Sequence, residues 1–336
     1  MKVKEITFIK TIMMLIIVLY HSCLFFGNSW FTYVMPIYNA KYLYLFATWL
    51  NTFHVHTFVM ASGFLFYYLK CEKGKYHNYK NDIKKRAKRL LLPYIFVSLI
   101  WIIPISEYFF KYSFAEIIKK FILCVSPAQL WFLIMLFGVF LVFEFISDKI
   151  KISIKNLIII YFLSVIISLG IQYLKFDYFQ LSNVFKYTLF FYLGGFLYKY
   201  KEHITLKKCI ILIIGVFILL FTTYLLNDGL IEKVLNSFLL QLISLCEVVL
   251  LYKLGDYLIN KKNISLKSKL YKLLEDNSFG IYLFHQQIMY FIIVFFNGKV
   301  IPIVQVFLSF SISLLLSLAL SLLLKKSKVT KVMFGL

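Results

Sequence analysis

The sequence predicts an all-α, polytopic membrane protein: a bundle of about ten transmembrane helices with the N- and C-termini in the cytoplasm. The 336 residues are 61% hydrophobic and only 15% charged, whereas ordinary soluble domains carry about 25% charged residues. The mean hydropathy of +0.82 excludes a soluble enzyme and a disordered chain. Apolar runs long enough to cross a bilayer recur along the whole length, and basic residues concentrate in alternate loops.

Ten apolar runs are predicted to span the membrane, because a helix needs roughly 20 residues to cross the hydrocarbon core. In order they are 8–27, 44–69, 90–109, 128–147, 156–174, 184–200, 209–227, 234–254, 278–297 and 301–324. The first run lacks a small-x-small cleavage site, which predicts a retained signal anchor. The third run follows the basic segment 84–89, so its N-terminal end is predicted to be cytoplasmic. The last run is followed by four lysines, so its C-terminal end is predicted to be cytoplasmic as well.

The basic residues support this topology. With the N-terminus inside, 29 of the 37 Lys and Arg residues fall on the cytoplasmic side and 8 on the outer side. The net charge of +22 is therefore attributed to topology and not to nucleic-acid binding. Because all loops are short, residues 1–336 are predicted to form a single integral-membrane domain, with any chemistry inside the bundle or at its mouths.

Several function classes are disfavoured by missing motifs. The chain has no Walker A sequence, no GxGxxG, no Asp-x-Asp and no Gly-x-Ser-x-Gly, which argues against nucleotide-driven pumps, dinucleotide enzymes and metal-dependent glycosyltransferases. His54 and His56 are two residues apart and would point away from each other on a helix, so they form a poor metal site. The five scattered cysteines include no CxxC pair. We expect no metal and no permanently bound cofactor.

Lys10 and His21 share one face of the first predicted helix. Eleven residues place them about 16 Å apart along the axis, with the lysine at the cytoplasmic end and the imidazole deeper. This layout suits a long ligand with an anionic head and a reactive tail, such as a coenzyme A thioester. The alternatives are a lysine that snorkels to the interface and a histidine that makes an interhelical hydrogen bond.

Arg86 and Arg89 are the only arginines among the 37 basic residues. They lie three residues apart on one predicted helix face, directly before the third span. Lysine would serve equally well as a topology anchor, whereas the planar guanidinium group binds phosphate in a bidentate manner. We therefore interpret the pair as a phosphate clamp at the cytoplasmic mouth, with a simple topology anchor as the alternative.

Five other residues inside or at the ends of spans are candidate substrate-binding groups, because polar side chains are costly in lipid. They are His54, Ser62, Trp131, Glu247 and His285. Each has a structural alternative: packing or a buried hydrogen bond for the histidines, a protonated or paired state for the glutamate, and an aromatic-belt position for the tryptophan. The glycines beside Ser62 and at 194–195 are predicted to permit close helix contact.

Six short motifs occur in order along the predicted spans. They are Lys10 with His21 eleven positions later, Phe53-His54 with Ser62-Gly63-Phe64, Arg86-Ala87-Lys88-Arg89 leading to Pro93, Leu130-Trp131-Phe132-Leu133, the glycine-containing stretch 190–198, and Gly280-Ile281-Tyr282-Leu283-Phe284-His285. Together they resemble the integral-membrane acyltransferase family 3, whose members O-acylate polysaccharides, lipopolysaccharides, peptidoglycan and related acceptors. Lys10 stands where many members have arginine, and His56 stands where many have proline.

The resemblance implies an O-acyltransferase centred on His21, in the plasma membrane. Acetyl-CoA or another acyl-CoA would be the donor substrate, with its phosphates on Arg86, Arg89 and Lys10, and its thioester at His21. The histidine would act as a general base or as a nucleophile that carries the acyl group. An extracellular or lipid-linked glycan would be the acceptor, with polysaccharide-synthesis proteins as partners. The abundance of lysine over arginine indicates AT-rich coding DNA, as in a low-GC bacterium.

Two alternatives remain open from the sequence. An exporter of a polysaccharide or a lipid-linked sugar would also need many spans, intramembrane His and Glu residues and a basic cytoplasmic side. An unrelated type of membrane O-acyltransferase is built around a late-span histidine, which would make His285 the catalyst instead of His21.

Overall fold

The computed structural model describes residues 3–76, 78–225 and 229–336. These residues form helices and connecting turns with no strand among them, which confirms the predicted all-α class. The α-helices are α1 Lys4–Leu24, α2 Lys41–Asn51, α3 His54–Lys73, α4 Tyr79–Val97, α5 Ile103–Phe110, α6 Phe114–Ile117, α7 Trp131–Ile146, α8 Ile154–Tyr173, α9 Leu181–Tyr200, α10 Leu206–Leu225, α11 Leu230–Asp256, α12 Lys269–Phe296, α13 Pro302–Leu324 and α14 Lys328–Met333.

Seven helices in the described part of the chain are long and apolar enough to cross a membrane. They are Lys4–Gly27, Tyr79–Phe110, Ala128–Ile146, Ile154–Tyr173, Ile231–Lys261, Lys269–Phe296 and Pro302–Leu324. The protein is therefore a multi-pass helical membrane protein. The remaining predicted spans fall on α3 and α9, which are less apolar, and on α10, whose apolar stretch Ile211–Thr223 is shorter. Residues 226 and 227 of the predicted span 209–227 lie outside the described residues.

The predicted second span, 44–69, is not one continuous helix. The α2 helix ends at Asn51 and α3 begins at His54, so the expectation of an unbroken span is wrong here. The break falls at a polar residue, Thr52, whose hydroxyl donates to Glu247 Oε2 at 2.6 Å. This hydrogen bond joins the break between the two helices to α11.

Packing divides the chain into two compact units. Unit 1 comprises Met1–Lys10, Thr52–Ile83 and Met135–Ser265. Unit 2 comprises Thr11–Asn51, Lys84–Ile134 and Leu266–Leu336. Unit 1 thus contains α3 and α8–α11, whereas unit 2 contains α2, α5, α6 and α12–α14.

Unit 1 is organised around close contact of α3 with α9. A Cβ atom added at Gly63 would overlap the backbone carbonyl oxygen of Phe191, and one at Gly194 would overlap the backbone of Met60 and Phe64. Small residues at a helix interface let two backbones approach each other inside a membrane protein. The prediction that these glycines permit close helix contact is confirmed.

We expect Gly63→Ala to destabilise the protein by about 1–3 kcal/mol, because the methyl group must displace helix backbone. Gly170→Ala is the matched control, since a Cβ at that helical position meets nothing within 4 Å. The measurement is thermal unfolding of both variants in detergent. Equal melting temperatures for the two variants would contradict the proposed close packing.

Unit 2 is organised around the antiparallel neighbours α12 and α13. Four serines on α13, spaced four residues apart, are fully buried and form one stripe along the helix: Ser309, Ser313, Ser317 and Ser321. The Ser321 hydroxyl donates to Asn277 Oδ1 on α12 at 2.9 Å. Small hydroxyl residues combine close approach with interhelical hydrogen bonding in the absence of water. This packing fixes α12, the helix that contains His285.

Candidate active site

His21 lies in the last turn of α1 and is half-buried. Its Nδ1 is 2.9 Å from the backbone carbonyl oxygen of Ile17, one helical turn earlier. A carbonyl oxygen can only accept a hydrogen bond, so Nδ1 carries the hydrogen. In the neutral imidazole the lone pair therefore lies on Nε2. Lys10 belongs to the same unbroken helix, as the predicted spacing requires.

His285 lies directly beside His21 in unit 2 and is completely buried. Its Nδ1 is 2.9 Å from the carbonyl oxygen of Tyr282 and 3.1 Å from that of Ile281. The same argument places the hydrogen on Nδ1, which makes Nε2 of neutral His285 an acceptor. This Nε2 is 3.2 Å from Nδ1 of His21. The His21 Nδ1–H therefore points toward the carbonyl oxygen of Ile17 and the lone pair of His285.

The two imidazoles form a directed pair with a defined chemical capacity. The Nε2 lone pair of His21 can act as a base or a nucleophile. Its Nδ1–H points toward the carbonyl oxygen of Ile17 and Nε2 of His285. In hydrolases a third group orients the base histidine in the same way and selects its tautomer. Here a neutral imidazole takes that position. If His21 accepts a proton, its Nδ1–H still has the His285 lone pair as a partner.

A buried amide pair holds the segment of α12 around His285. Gln129 Nε2 donates to the carbonyl oxygen of Leu283 at 2.9 Å and to Gln287 Oε1 at 2.6 Å. Gln287 Nε2 donates back to Gln129 Oε1 at 3.0 Å. The Tyr282 hydroxyl donates to the backbone carbonyl of Gln129. The side chains of Gln129, Gln287 and Tyr282 thus all have hydrogen-bond partners, which favours a single position of α12 in this region.

This amide pair was not predicted from the sequence, because the candidates inside spans included no Asn or Gln side chain. Neutral amides are also costly in an apolar helix and are normally hydrogen-bonded to a neighbouring helix. The consecutive Gln286 and Gln287, directly after His285, are the signal that could have found it.

The two arginines occupy different environments in unit 2. Arg86 is buried, with 9% of its surface exposed, whereas Arg89 is exposed. Both lie on α4, three residues apart, as predicted. Trp131 is the first residue of α7 and is half-buried, directly after the short 3₁₀ turn that contains Gln129.

The remaining sequence-predicted residues lie in unit 1. Lys10 Nζ is 5.9 Å from the centre of the Phe58 ring, and the Ser62 hydroxyl donates to the carbonyl oxygen of Phe58 at 3.0 Å. Lys10 therefore lies near α3, whereas the Ser62 hydroxyl bonds within that helix, one turn earlier. Glu247 is buried and accepts the hydrogen bond from Thr52, and His54 is 2% exposed.

The fold is that of a polytopic helical membrane protein, and two imidazoles lie in contact with each other in unit 2. A family model described as an acyltransferase domain matches residues 3–324. The chain belongs to this family, acyltransferase family 3, and is a membrane acyltransferase. Family membership confirms the resemblance of the six motifs and favours an acyltransferase over an exporter. Comparisons with curated proteins and with solved structures found no match.

Proposed function

We propose that the protein is an O-acyltransferase that moves an acyl group, most simply acetyl, from cytoplasmic acyl-CoA to a hydroxyl of a cell-surface or exported glycan. The observation that supports this most strongly is the 3.2 Å contact between His21 Nδ1 and His285 Nε2, which leaves the lone pair of neutral His21 on Nε2. Transfer of an acyl group to a hydroxyl is accelerated by a positioned general base, which is most often a histidine.

In the first route His21 acts as a general base. Its Nε2 takes the proton of the acceptor hydroxyl while the oxygen attacks the thioester carbonyl carbon. The carbon–sulfur bond then breaks, and the coenzyme A thiolate takes the proton from Nε2 to leave as the free thiol. The ester stays on the acceptor, and the neutral imidazole is restored.

In the second route His21 is the nucleophile. Its Nε2 attacks the thioester carbonyl carbon, the carbon–sulfur bond breaks, and an acyl-imidazolium forms beside the coenzyme A thiolate, because Nδ1 keeps its hydrogen. The acceptor oxygen then attacks the same carbon, which breaks the carbon–nitrogen bond and passes the acyl group on. The acceptor proton ends on the coenzyme A thiolate. Both routes use Nε2 and need a hydrogen on Nδ1.

The donor phosphates are assigned to Arg86 and Arg89 on α4. We expect Arg86→Lys and Arg89→Lys each to raise the Kd for coenzyme A by roughly fivefold to twentyfold, because lysine cannot make the bidentate contact. Isothermal titration of purified protein measures this effect. Lys88→Ala, which removes a charge from the same segment, is the control and should change the Kd less. Unchanged affinity in both arginine variants would refute the clamp.

The test of the proposed function uses purified protein in liposomes with acetyl-CoA labelled in the acetyl group. We expect release of the coenzyme A thiol and transfer of the label to added glycan. An exporter would release no thiol and acquire no label. Loss of activity in His285→Ala with full activity in His21→Ala would instead support the late-histidine type of enzyme.

The same proposal places the protein in the plasma membrane of a bacterium. Proteins of polysaccharide synthesis would deliver the acceptor as an extracellular or lipid-linked glycan. Deletion of the gene followed by NMR of the surface glycan should reveal a missing ester.

A further inference from the structure

The Trp30 side chain lies against the candidate base and is not part of any motif. Its ring centre is 5.3 Å from that of His21 and 5.3 Å from that of Tyr290. Trp30 is half-buried and follows the end of α1, in the connection between α1 and α2. All three residues belong to unit 2. The indole therefore provides a partly accessible aromatic surface next to the imidazole.

The indole rests on a rigid aromatic base. Tyr290 stacks on Phe31, with ring centres 4.5 Å apart and planes within 3° of parallel. The Tyr290 hydroxyl accepts a hydrogen bond from Gln286 Nε2 at 2.6 Å. Phe31 and Tyr290 are both buried, with exposures of 1% and 4%. Buried rings of this kind define the position of the aromatic side chain that packs on them.

The connection that carries Trp30 is also tied to the end of α12. Asn297 Oδ1 accepts a hydrogen bond from the backbone N–H of Ile37 at 3.2 Å, and Asn297 Nδ2 donates to the carbonyl oxygen of Met35 at 2.8 Å. The Tyr38 hydroxyl adds a longer contact of 3.4 Å with the carbonyl oxygen of Gly298. The helix that contains His285 therefore also holds the segment that contains Trp30.

The chemistry of this surface differs from what the donor needs. The part of the donor expected at His21 is the thioester at the end of the pantetheine arm, which has no ring to stack on an indole. A flat aromatic face beside a base instead suits a ligand with a C–H face on one side and hydroxyl groups at its edge. A pyranose ring has this form. Few but well-placed polar groups beside an apolar wall are typical of small-molecule sites.

We propose that Trp30 is the platform of the acceptor subsite: the C–H face of a pyranose ring stacks on the indole, which brings a ring hydroxyl to Nε2 of His21. This inference rests on the proposed O-acyltransferase function and adds the residue that selects a sugar ring as acceptor. It makes Trp30 a binding residue and leaves the chemical step to His21.

The experiment measures acyl transfer from acetyl-CoA to two kinds of acceptor. Methyl β-glucopyranoside, methyl β-galactopyranoside and N-acetylglucosamine present a ring face, whereas glycerol presents hydroxyl groups without one. We expect Trp30→Ala and Trp30→Leu to raise the KM for the pyranosides about tenfold or more, with kcat changed little. The KM for glycerol should stay the same. Trp30→Phe retains an aromatic face and should keep most of the pyranoside affinity.

Trp49→Ala is the matched control, because Trp49 lies exposed on α2 and packs beside Phe46. It should leave every KM unchanged, and all variants should match the wild type in thermal stability. Three results would each overturn the role of Trp30 and leave the proposed acyl transfer intact. They are an unchanged pyranoside KM in Trp30→Leu, an equal rise of the KM for glycerol in that variant, and a wild type that acylates glycerol but none of the pyranosides. A wild type that releases no coenzyme A with any acceptor overturns the proposed function itself.

Discussion

His21→Ala is expected to lower the rate of acyl transfer by about 10²–10⁴-fold, the contribution usual for a positioned general base. The substitution removes the only group that both proposed routes use, so neither the base step nor the acyl-imidazole step can occur. The KM for acyl-CoA should change little, because the donor phosphates are assigned to other residues. Steady-state kinetics in liposomes, with release of the coenzyme A thiol as the signal, gives both parameters.

The matched control is His203→Ala, which removes an exposed imidazole in a short 3₁₀ segment of unit 1. It should keep the wild-type rate. Added imidazole should restore part of the activity of His21→Ala if His21 acts as a base, because a small molecule can replace the missing ring. A His21→Ala variant that is correctly folded and retains the wild-type kcat would remove His21 from the reaction.

His285→Leu is expected to lower kcat by about 10²-fold while the KM values stay near those of the wild type. Leucine fills the volume but offers no acceptor to the Nδ1–H of His21. The imidazole then loses the hydrogen-bond acceptor that lies 3.2 Å from its Nδ1. The hydrogen bond to the carbonyl oxygen of Ile17 still selects the tautomer but constrains the ring less than the two contacts together. The effect is smaller than that of His21→Ala because His285 acts through His21 and does not touch the acyl group.

The conservative variant separates positioning from packing. The amide oxygen of glutamine reaches about as far as Nε2 of histidine, so His285→Gln can still accept from His21 Nδ1–H and should recover most of the rate. The double variant His21→Ala/His285→Leu should lose no more than His21→Ala alone, because residues that act as one unit are not additive. Equal losses in His285→Gln and His285→Leu, or additive losses in the double variant, would show that His285 is only part of the core.

The helical class and most element positions could be predicted because apolar runs of bilayer length leave few other solutions in lipid. The exception is the predicted second span, which is broken into two helices. Apolar content alone cannot locate the break between α2 and α3, because it falls inside one apolar run, at a residue whose partner Glu247 is distant in sequence. The division into two units likewise depends on tertiary packing, which hydropathy does not encode.

The candidate site could be predicted only in part. Polarity in an apolar helix identified His21 and His285 separately, but no sequence spacing indicates that residues 264 positions apart are in contact. Their adjacency changes the interpretation of His285 from a substrate-binding group to one that orients the base. A functional role for Trp30 could not be predicted from the sequence, because aromatic residues are common at the ends of membrane spans. Its position beside His21 distinguishes it.

In the proposed reaction His21, oriented by His285, transfers an acyl group from a thioester to a hydroxyl. The most direct measurement is mass spectrometry of a pyranoside acceptor after incubation of the protein with ¹³C-acetyl-CoA, for the wild type, His203→Ala and His21→Ala. We expect a ¹³C-acetyl ester with the first two proteins and at most about a hundredth as much with the third. Ester formation by His21→Ala at the wild-type rate would contradict the proposed reaction.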